Sequence, residues 1–217
     1  MSKTKEQSFR QIADAGVVAV IRARSKDQLI GIAEALLAGG VPAIEVTMST
    51  PDPIAGIEML AKRFGDRAVL GVGTVMDADT AKNAIAAGAE FVVSPMFDEH
   101  IVAAVKKLGK IVIPGAFTPT EILRAWTAGA DVVKVFPSTG LGPQYFRDIL
   151  APLPQLKLTP TGGVDVKNAG EWIRAGAVFI GAGSSLIGKE ALTKNDWSSV
   201  TANAIAFVGT IRAARLK

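Results

Sequence analysis

Short apolar segments recur along the chain, and most are followed by a stretch with helical periodicity. The segments are rich in β-branched residues and are typical of strands buried on both faces. Their starts lie 20 to 26 residues apart, which is the length of one strand, one helix and two short loops. The eight predicted strands are 17–23, 43–48, 69–75, 91–96, 111–116, 132–137, 156–161 and 178–183.

The segments between these strands predict helices with recognisable ends. Several finish in a glycine that we expect to adopt the left-handed backbone of a helix C-cap, as Gly88 and Gly176 do in Ala-Gly-Ala sequences. Thr118-Pro119, followed by Glu121, predicts a capped helix start, and Ser25 predicts another. The predicted helices are 4–15, 27–37, 53–64, 78–87, 100–108, 119–127, 144–150, 168–175 and 198–215.

Eight strand–helix units predict an α/β fold with an all-parallel sheet covered by helices. Such units close most naturally into a (β/α)8 (TIM) barrel. An open doubly wound sheet is the alternative, but it usually carries a Gly-x-Gly-x-x-Gly turn after the first strand, and here that turn contains Arg22 and Arg24. We therefore predict a single (β/α)8 barrel domain over residues 1–217, with helix 4–15 as an N-terminal cap.

Composition narrows the class of protein. The chain has 217 residues, 49% of them hydrophobic, and no cysteine, which excludes disulfides and cysteine nucleophiles and favours a cytoplasmic protein. The polar N-terminus lacks an apolar segment, so we expect no signal peptide, and no apolar run approaches the ~20 residues of a membrane helix. A net charge of +4 with 6% aromatic residues argues against nucleic-acid binding and favours anionic metabolites as ligands.

Lys134 is the one charged residue within the otherwise apolar segment 132–137. Burying an unpaired ammonium is costly, so a lysine at such a position needs a functional reason. Burial also disfavours the charged form and lowers the pKa of a lysine, which yields a nucleophilic amine near neutral pH. Lys134 therefore predicts covalent amine chemistry.

Glu45 is a second charged residue in an apolar strand, and Thr47 shares its face because side chains alternate along a strand. If both strands turn these faces inward, Glu45 and Lys134 meet in the barrel interior. Imine chemistry needs this pairing, because the amine attacks a ketone while the carboxyl group moves protons. A structural, buried Lys–Glu ion pair remains the alternative.

Small residues stand at the ends of the predicted strands, where barrel active sites form. Gly162 and Gly163 follow the seventh strand, and Gly183 and Ser184 end the eighth. Paired glycines let backbone amides approach an anion, although tight turns need glycines too. We predict a phosphate site from these four residues, and we expect Pro95, at the end of the fourth strand, to line the same pocket.

Other polar residues carry weaker signals. His100 is the only histidine and lies beside acidic residues at a helix start, which is typical of a solvated helix face. Asp131 precedes the sixth strand, so we expect a structural role at the bottom of the barrel. With one histidine and no cysteine, a transition-metal site would need carboxylates alone, and we predict no metal and no cofactor.

Six motifs resemble the family of 2-keto-3-deoxy-6-phosphogluconate aldolases, whose members include 4-hydroxy-2-oxoglutarate aldolases. They are GVPAIEVT at 40–47, GVGTV at 71–75, VSP at 93–95, IPG at 113–115, VKVFP at 133–137 and PTGG at 160–163. The resemblance spans about residues 12–188. It implies a metal-free class I lyase of carbohydrate metabolism in the Entner–Doudoroff pathway, cytoplasmic and homotrimeric, acting on small molecules.

The resemblance also implies roles for individual residues. Lys134 would form the Schiff base with pyruvate, and Glu45 would act as the general acid and base. The other implied contacts are Thr74 with the pyruvate portion, Gly162, Gly163 and Ser184 with the phosphate, and Thr161 and Phe136 as pocket walls.

One position departs from the family pattern. Many members carry an arginine two residues after the threonine of the second strand, where it binds the pyruvate carboxylate, and here that position is Ser49. Other branches place an arginine at the end of the first strand, and this chain has Arg22 there. We hypothesise that Arg22 replaces the missing guanidinium, since arginine binds carboxylates in a bidentate manner.

The expected reaction is the reversible cleavage of 2-keto-3-deoxy-6-phosphogluconate to pyruvate and glyceraldehyde 3-phosphate. Residues 136–145 also resemble the 6-phosphogalactonate branch of the family, which differs in the configuration at C4. A phosphate-binding isomerase or synthase without a covalent step is a further alternative, with Lys134 as a point charge.

Overall fold

Parallel strands alternate with helices throughout the computed structural model, which describes residues 3–216. Nine short strands take the place of the eight predicted ones because the fifth is divided at Pro114, whose ring nitrogen has no hydrogen to donate. The strands are β1 (Val17–Ile21), β2 (Ala43–Thr47), β3 (Val69–Gly73), β4 (Phe91–Val93), β5 (Ile111–Ile113), β6 (Gly115–Ala116), β7 (Val133–Val135), β8 (Leu158–Pro160) and β9 (Ile180–Ala182).

The helices largely follow the predicted segments. A short 3-10 helix, Gly65–Arg67, precedes β3. The α-helices are α1 (Lys5–Ala15), α2 (Gln28–Ala38), α3 (Pro53–Phe64), α4 (Ala78–Ala86), α5 (Glu99–Lys107), α6 (Pro119–Thr127), α7 (Gly142–Leu150), α8 (Ala169–Arg174), α9 (Lys189–Lys194) and α10 (Trp197–Arg215).

The strands form two parallel sheets, which confirms the predicted α/β class. One has six strands in the order β5-β4-β3-β2-β1-β9, and the other has three in the order β6-β7-β8. The first strand, β1, pairs with β2 on one side and with the last strand, β9, on the other. Two isolated parallel bridges, Leu158 with Ala177 and Thr161 with Gly181, join the β8 and β9 segments.

Predicted helix ends are confirmed in most places. Gly88 and Gly176 have φ angles of +114° and +102°, as left-handed C-caps require. Thr118 and Glu121 form a reciprocal capping box at the start of α6. The prediction for Ser25 is wrong, because α2 begins at Gln28 and its N-cap residue makes no side-chain capping bond.

A cluster of apolar side chains between the strands connects α1 to the site. Ile12 of α1 is fully buried in this cluster together with inward-facing residues of the strands, including Ala43 of β2 and Val132 beside β7. Because side chains alternate along a strand, Glu45 and Lys134, two residues further on, face the same interior one layer higher. Within residues 3–216, no helix is both long and apolar enough to cross a membrane.

Candidate active site

Lys134 and Glu45 meet in the interior, above the apolar cluster. Lys134 is 7% exposed and Glu45 is 4% exposed. Both side chains line a narrow space of about 10 Å³, whose other walls include Thr159, Thr161 and Phe179. A space of this volume holds one water at most. The structure therefore brings these two groups together around one interior space, and their catalytic roles stay a prediction.

Burial shifts the pKa values of both groups in the direction that favours their neutral forms. Desolvation lowers the pKa of Lys134 from 10.5, the charge of Glu45 opposes this, and the charge of Arg22 adds to it. Desolvation also raises the pKa of Glu45 from 4.5, against the charges of Lys134 and Arg22. A neutral amine and a protonated carboxyl group thus become accessible closer to neutral pH than in water. These are the states that attack a carbonyl and donate a proton.

Two neighbouring side chains have defined contacts. The ammonium nitrogen of Lys134 lies 4.5 Å from the ring centre of Phe136, in a cation–π arrangement along the same strand face. The hydroxyl of Thr47 donates to the carbonyl of Ile21 at 2.9 Å and lies 2.8 Å from the hydroxyl of Ser49. Thr47 therefore ties β2 to β1, and its hydroxyl is already engaged.

A larger cleft of about 300 Å³ opens above the interior space. Thr161 and Gly181 line both cavities, so the two are adjacent. The remaining lining is drawn mainly from the ends of β1, β8 and β9. It includes the predicted carboxylate-binding residue Arg22, the predicted pocket wall Phe136, and all four residues of the predicted phosphate site: Gly162, Gly163, Gly183 and Ser184.

Glycine is required at two of these positions by the backbone. Gly162 and Gly163 have φ angles of +96° and +72°, which L-residues with a side chain rarely adopt. A Cβ on Gly163 would also lie 3.1 Å from the Cα of Thr139 in the preceding loop. The backbone of this segment can therefore face the cleft only without side chains.

Hydrogen bonds brace the loops around the cleft. Asn168 donates from its amide nitrogen to the carbonyl of Gly163 at 2.8 Å and accepts from the backbone N–H of Asp165 at 2.9 Å. Ser185 donates to the carbonyl of Val164 at 2.7 Å and so links the loop after β9 to the loop after β8. Neither brace was predicted. The segment Gly163-Val-Asp-Val-Lys-Asn168 could have indicated an Asx turn, whereas Ser185 offers no such signal.

Arg22 lies at the boundary of the cleft and the interior. Its side chain is exposed, and its guanidinium passes 3.5 Å from the place a Cβ on Gly183 would occupy. It is nevertheless close enough to influence the pKa values of Lys134 and Glu45. Arg22 thus lines the cleft, and its positive charge also lowers the pKa values of Lys134 and Glu45.

Three predicted site residues, Thr47, Thr74 and Pro95, line neither of the two cavities just described. Thr74 is exposed and has a φ of +64°. Pro95 lines a separate cleft of about 310 Å³ on another side of Phe136, together with Phe117 and Glu121. Thr74 and Pro95 follow β3 and β4 at their carboxyl ends, and Thr47 ends β2 with its hydroxyl bonded to the carbonyl of Ile21.

The residues predicted to be structural have ordinary contacts. His100 is exposed on α5. Asp131 accepts the backbone N–H of Val112 at 2.9 Å and pairs with Lys5 of α1 at 2.8 Å, as expected for the amino-terminal side of the strands. Among residues 3–216, no group of three or more acidic or histidine side chains is placed to hold a metal ion.

Comparison with known proteins gives a consistent result. The family model described as "Aldolase: KDPG and KHG aldolase" matches residues 9–203. The 2-dehydro-3-deoxy-phosphogluconate aldolase of Treponema pallidum is 34% identical over 195 residues, which cover 89% of this chain and 92% of that protein. The 2-dehydro-3-deoxy-6-phosphogalactonate aldolase of Escherichia coli is 31% identical over 171 residues, 78% of this chain and 83% of that protein.

A solved structure has the same fold. It is the KDPG aldolase of Legionella pneumophila, with pyruvate captured as a covalent carbinolamine intermediate. It superposes with a TM-score of 0.86 at 32% identity, covering 93% of this chain and 98% of the other. The family model spans most of the chain, and the two relatives cover 89% and 78% of it. The chain therefore belongs to the KDPG and KHG aldolase family.

Proposed function

We propose that the protein is a class I aldolase that reversibly cleaves 2-keto-3-deoxy-6-phosphogluconate to pyruvate and glyceraldehyde 3-phosphate. The observation that carries the proposal is the buried pair of Lys134 and Glu45 around one small interior space. The names of the relatives support the same reaction, and the captured carbinolamine in the Legionella enzyme supports an amine nucleophile.

The first half of the reaction forms an imine. The neutral amine of Lys134 attacks the C2 ketone, and the resulting carbinolamine has one hydroxyl to lose. Glu45, whose protonated form is favoured because burial raises its pKa, donates a proton to that hydroxyl, and water leaves. The products of this half are a protonated imine on Lys134 and a Glu45 carboxylate, which is the base that the next step needs.

The second half breaks the C3–C4 bond. The Glu45 carboxylate, directly or through one water, removes the proton of the C4 hydroxyl. The electrons of the C3–C4 bond move into the imine to give an enamine, and glyceraldehyde 3-phosphate leaves. Protonation of the enamine at C3 and attack of water on C2 then release pyruvate and restore the amine of Lys134.

Substrate binding uses the ends of the strands in this proposal. Arg22 binds the pyruvate carboxylate, and its position between the cleft and the reacting pair supports this role. Thr74, which lines neither cavity, is the second predicted contact to pyruvate. The backbone of Gly162, Gly163 and Gly183, with the hydroxyl of Ser184, binds the phosphate in the 300 Å³ cleft. Phe136 and Thr161 are walls of this cleft, whereas Thr47 and Pro95, the other predicted walls, line neither this cleft nor the interior space.

The phosphogalactonate substrate is a second candidate, favoured by the 31% identity to the Escherichia coli phosphogalactonate aldolase. The two substrates differ only in configuration at C4, so a side-by-side cleavage assay separates them. Pyruvate release is followed with lactate dehydrogenase at equal substrate concentrations. We expect a higher kcat/KM for the phosphogluconate substrate. A higher value for the galactonate isomer would reverse the assignment, and no pyruvate from either would favour a non-covalent isomerase or synthase.

We also propose that the two sheets form one closed (β/α)8 barrel that is a single domain over residues 1–217. The pairing of β1 with β9, the bridges between the β8 and β9 segments, and the separation of β5 from β6 by Pro114 alone support closure. Ile12, buried among the interior side chains, supports α1 as the N-terminal cap.

A homotrimer is the proposed assembly. Its support is an exposed apolar surface at α6: Leu123, which lines a groove of about 600 Å³, is 41% exposed, and Phe117, which precedes the helix, is 43% exposed. Exposed apolar patches of this kind commonly mark interfaces. Sedimentation equilibrium tests the proposal, with Leu123→Glu expected to yield monomers.

We further propose a cytoplasmic location, since phosphorylated sugar acids are charged and do not cross membranes unaided.

A further inference from the structure

Strand β3 carries glycine at two inward-facing positions. Val69 of β3 belongs to the interior apolar cluster, so Gly71 and Gly73 face the same interior because side chains alternate along a strand. Glycine weakens a strand, since it has no side chain to pack and loses more backbone entropy than other residues. Two such residues in one five-residue strand need a reason at each position.

The two glycines make room for different neighbours. A Cβ on Gly71 would overlap the ring of Phe91, which is an apolar packing partner. A Cβ on Gly73 would overlap a carboxylate oxygen of Glu45 and would lie 2.5 Å from its Cδ and 2.8 Å from its Cγ. These separations are far inside van der Waals contact, and Glu45 is buried, so the carboxylate has little space to retreat.

The strand register shows which way the Glu45 side chain leans. Glu45 pairs with Gly71 across the sheet, and Thr47 pairs with Gly73. The carboxylate therefore does not lie over its own partner but over the residue two positions further along β3. It leans toward the carboxyl ends of the strands, the side on which the substrate cleft opens. It occupies the space that a side chain at position 73 would otherwise fill.

We propose that Gly73 is a positioning residue that holds the Glu45 carboxylate in place for proton transfer. The inference deepens the proposed aldolase function and rests on it for the catalytic readout. Any side chain at position 73 displaces the carboxylate from the space that it shares with Lys134. The defect falls on proton transfer and leaves the phosphate cleft, which is built from β1, β8 and β9 segments, unaffected.

The catalytic test uses a partial reaction that needs no phosphate. Pyruvate alone forms the imine on Lys134, and exchange of its methyl protons with deuterated solvent reports proton transfer at C3 by nuclear magnetic resonance. We expect Gly73→Ala to lower this exchange at least tenfold, with the KM for the phosphorylated substrate changed less than twofold. Gly71→Ala is the matched control, because it crowds Phe91 on the same strand face and should retain exchange per folded molecule. Wild-type exchange in folded Gly73→Ala would overturn the proposal.

A stability cycle keeps the test decisive if Gly73→Ala folds poorly. Glu45→Ala removes the carboxylate and so makes room for a Cβ at position 73. The Gly73→Ala substitution should therefore lower the Tm of the wild-type protein strongly and lower the Tm of Glu45→Ala much less, and the double variant should fold. Equal Tm losses in both backgrounds would overturn the proposal, because Gly73 would then serve the fold alone. This cycle needs no activity, so absent exchange in the wild-type protein would instead refute the proposed aldolase function.

Discussion

The interior pair and the outer cleft differ in which parts of the chain form them and in their exposure to solvent. Lys134 and Glu45 are side chains on strands, buried around a space that holds one water at most, and burial moves both pKa values toward the neutral forms. The cleft is formed mainly by loop backbone, with Gly162 and Gly163 at positive φ, and is open to solvent. In the function proposed above, reactivity depends on burial, whereas phosphate binding depends on the backbone of the glycine-rich loops.

Because the two regions are separable, variants in one should leave the other's partial reaction intact. At saturating pyruvate, proton exchange of pyruvate reports the interior pair, whereas the KM for the phosphorylated aldehyde in the condensation direction reports the cleft. The predictions below use these two measurements and run from the largest expected effect to the smallest.

Glu45→Gln should lower kcat about 10²- to 10⁴-fold, the usual contribution of a general acid–base group. Pyruvate exchange should fall with it, since the same carboxyl group serves both reactions, and the KM for the phosphorylated aldehyde should stay within about twofold. Steady-state assays and magnetic resonance provide the two values. Loss of cleavage with normal exchange would assign the acid–base role to another group.

Arg22→Ala tests the residue at the boundary of the two regions. Charge-assisted hydrogen bonds contribute about 1.5–3 kcal/mol, so the KM for pyruvate should rise roughly 10- to 100-fold. Arg22→Lys should recover part of the loss, because the charge remains without the bidentate geometry. An unchanged KM for pyruvate with a raised KM for the phosphorylated aldehyde would show that Arg22 binds the phosphate and not the pyruvate carboxylate.

Ser184→Ala should raise the KM for glyceraldehyde 3-phosphate about tenfold and leave pyruvate exchange unchanged, because one hydroxyl bond to a charged group is lost. Unphosphorylated glyceraldehyde is the matched substrate, and its KM should not move. Thr201→Val is the matched control variant, since the Thr201 hydroxyl bonds to the Ala35 carbonyl at 3.1 Å on helices remote from the cleft. Equal effects on both aldehydes would exclude a phosphate contact.

The smallest effect concerns stability and pH. The pKa of Lys134 is below 10.5 in the folded protein, so between the two values the unfolded chain binds more protons and the stability contributed by this site rises with pH. Comparing Glu45→Gln with Glu45→Gln/Lys134→Met isolates Lys134. The double variant should be more stable at neutral pH, and its advantage should shrink as pH approaches 10.5, by at most about 1.4 kcal/mol per pH unit. A difference in stability between the two variants that stays constant with pH would mean that burial does not shift the pKa of Lys134.

The interior was more predictable from sequence than the cleft, for physical reasons. A charge in a continuous apolar strand is conspicuous, and the two-residue alternation of a strand places Lys134 and Glu45 on one face. Side chains in turns follow no such period. Thr74 and Pro95 therefore lie outside the two cavities despite their positions after strands, and the brace of Ser185 depends on a carbonyl 21 residues away in sequence.

Element boundaries show the same contrast. The apolar runs located each strand, but β5 and β6 are divided at Pro114, and the predicted list lacked α9, whose sequence Lys-Glu-Ala-Leu-Thr-Lys is mostly polar. Gly73 stood in a recognised motif, yet its role became visible only once the register put the Glu45 carboxylate across it.

The central claim is that Lys134 is a nucleophile made reactive by burial beside Glu45. The direct measurement is to incubate the protein with pyruvate and sodium cyanoborohydride, digest it and locate the modified peptide by mass spectrometry. We predict one reduced pyruvyl group per chain, on Lys134, with activity lost in proportion to modification and no adduct in Lys134→Met. An active enzyme without an adduct, or an adduct on another lysine, would contradict the account.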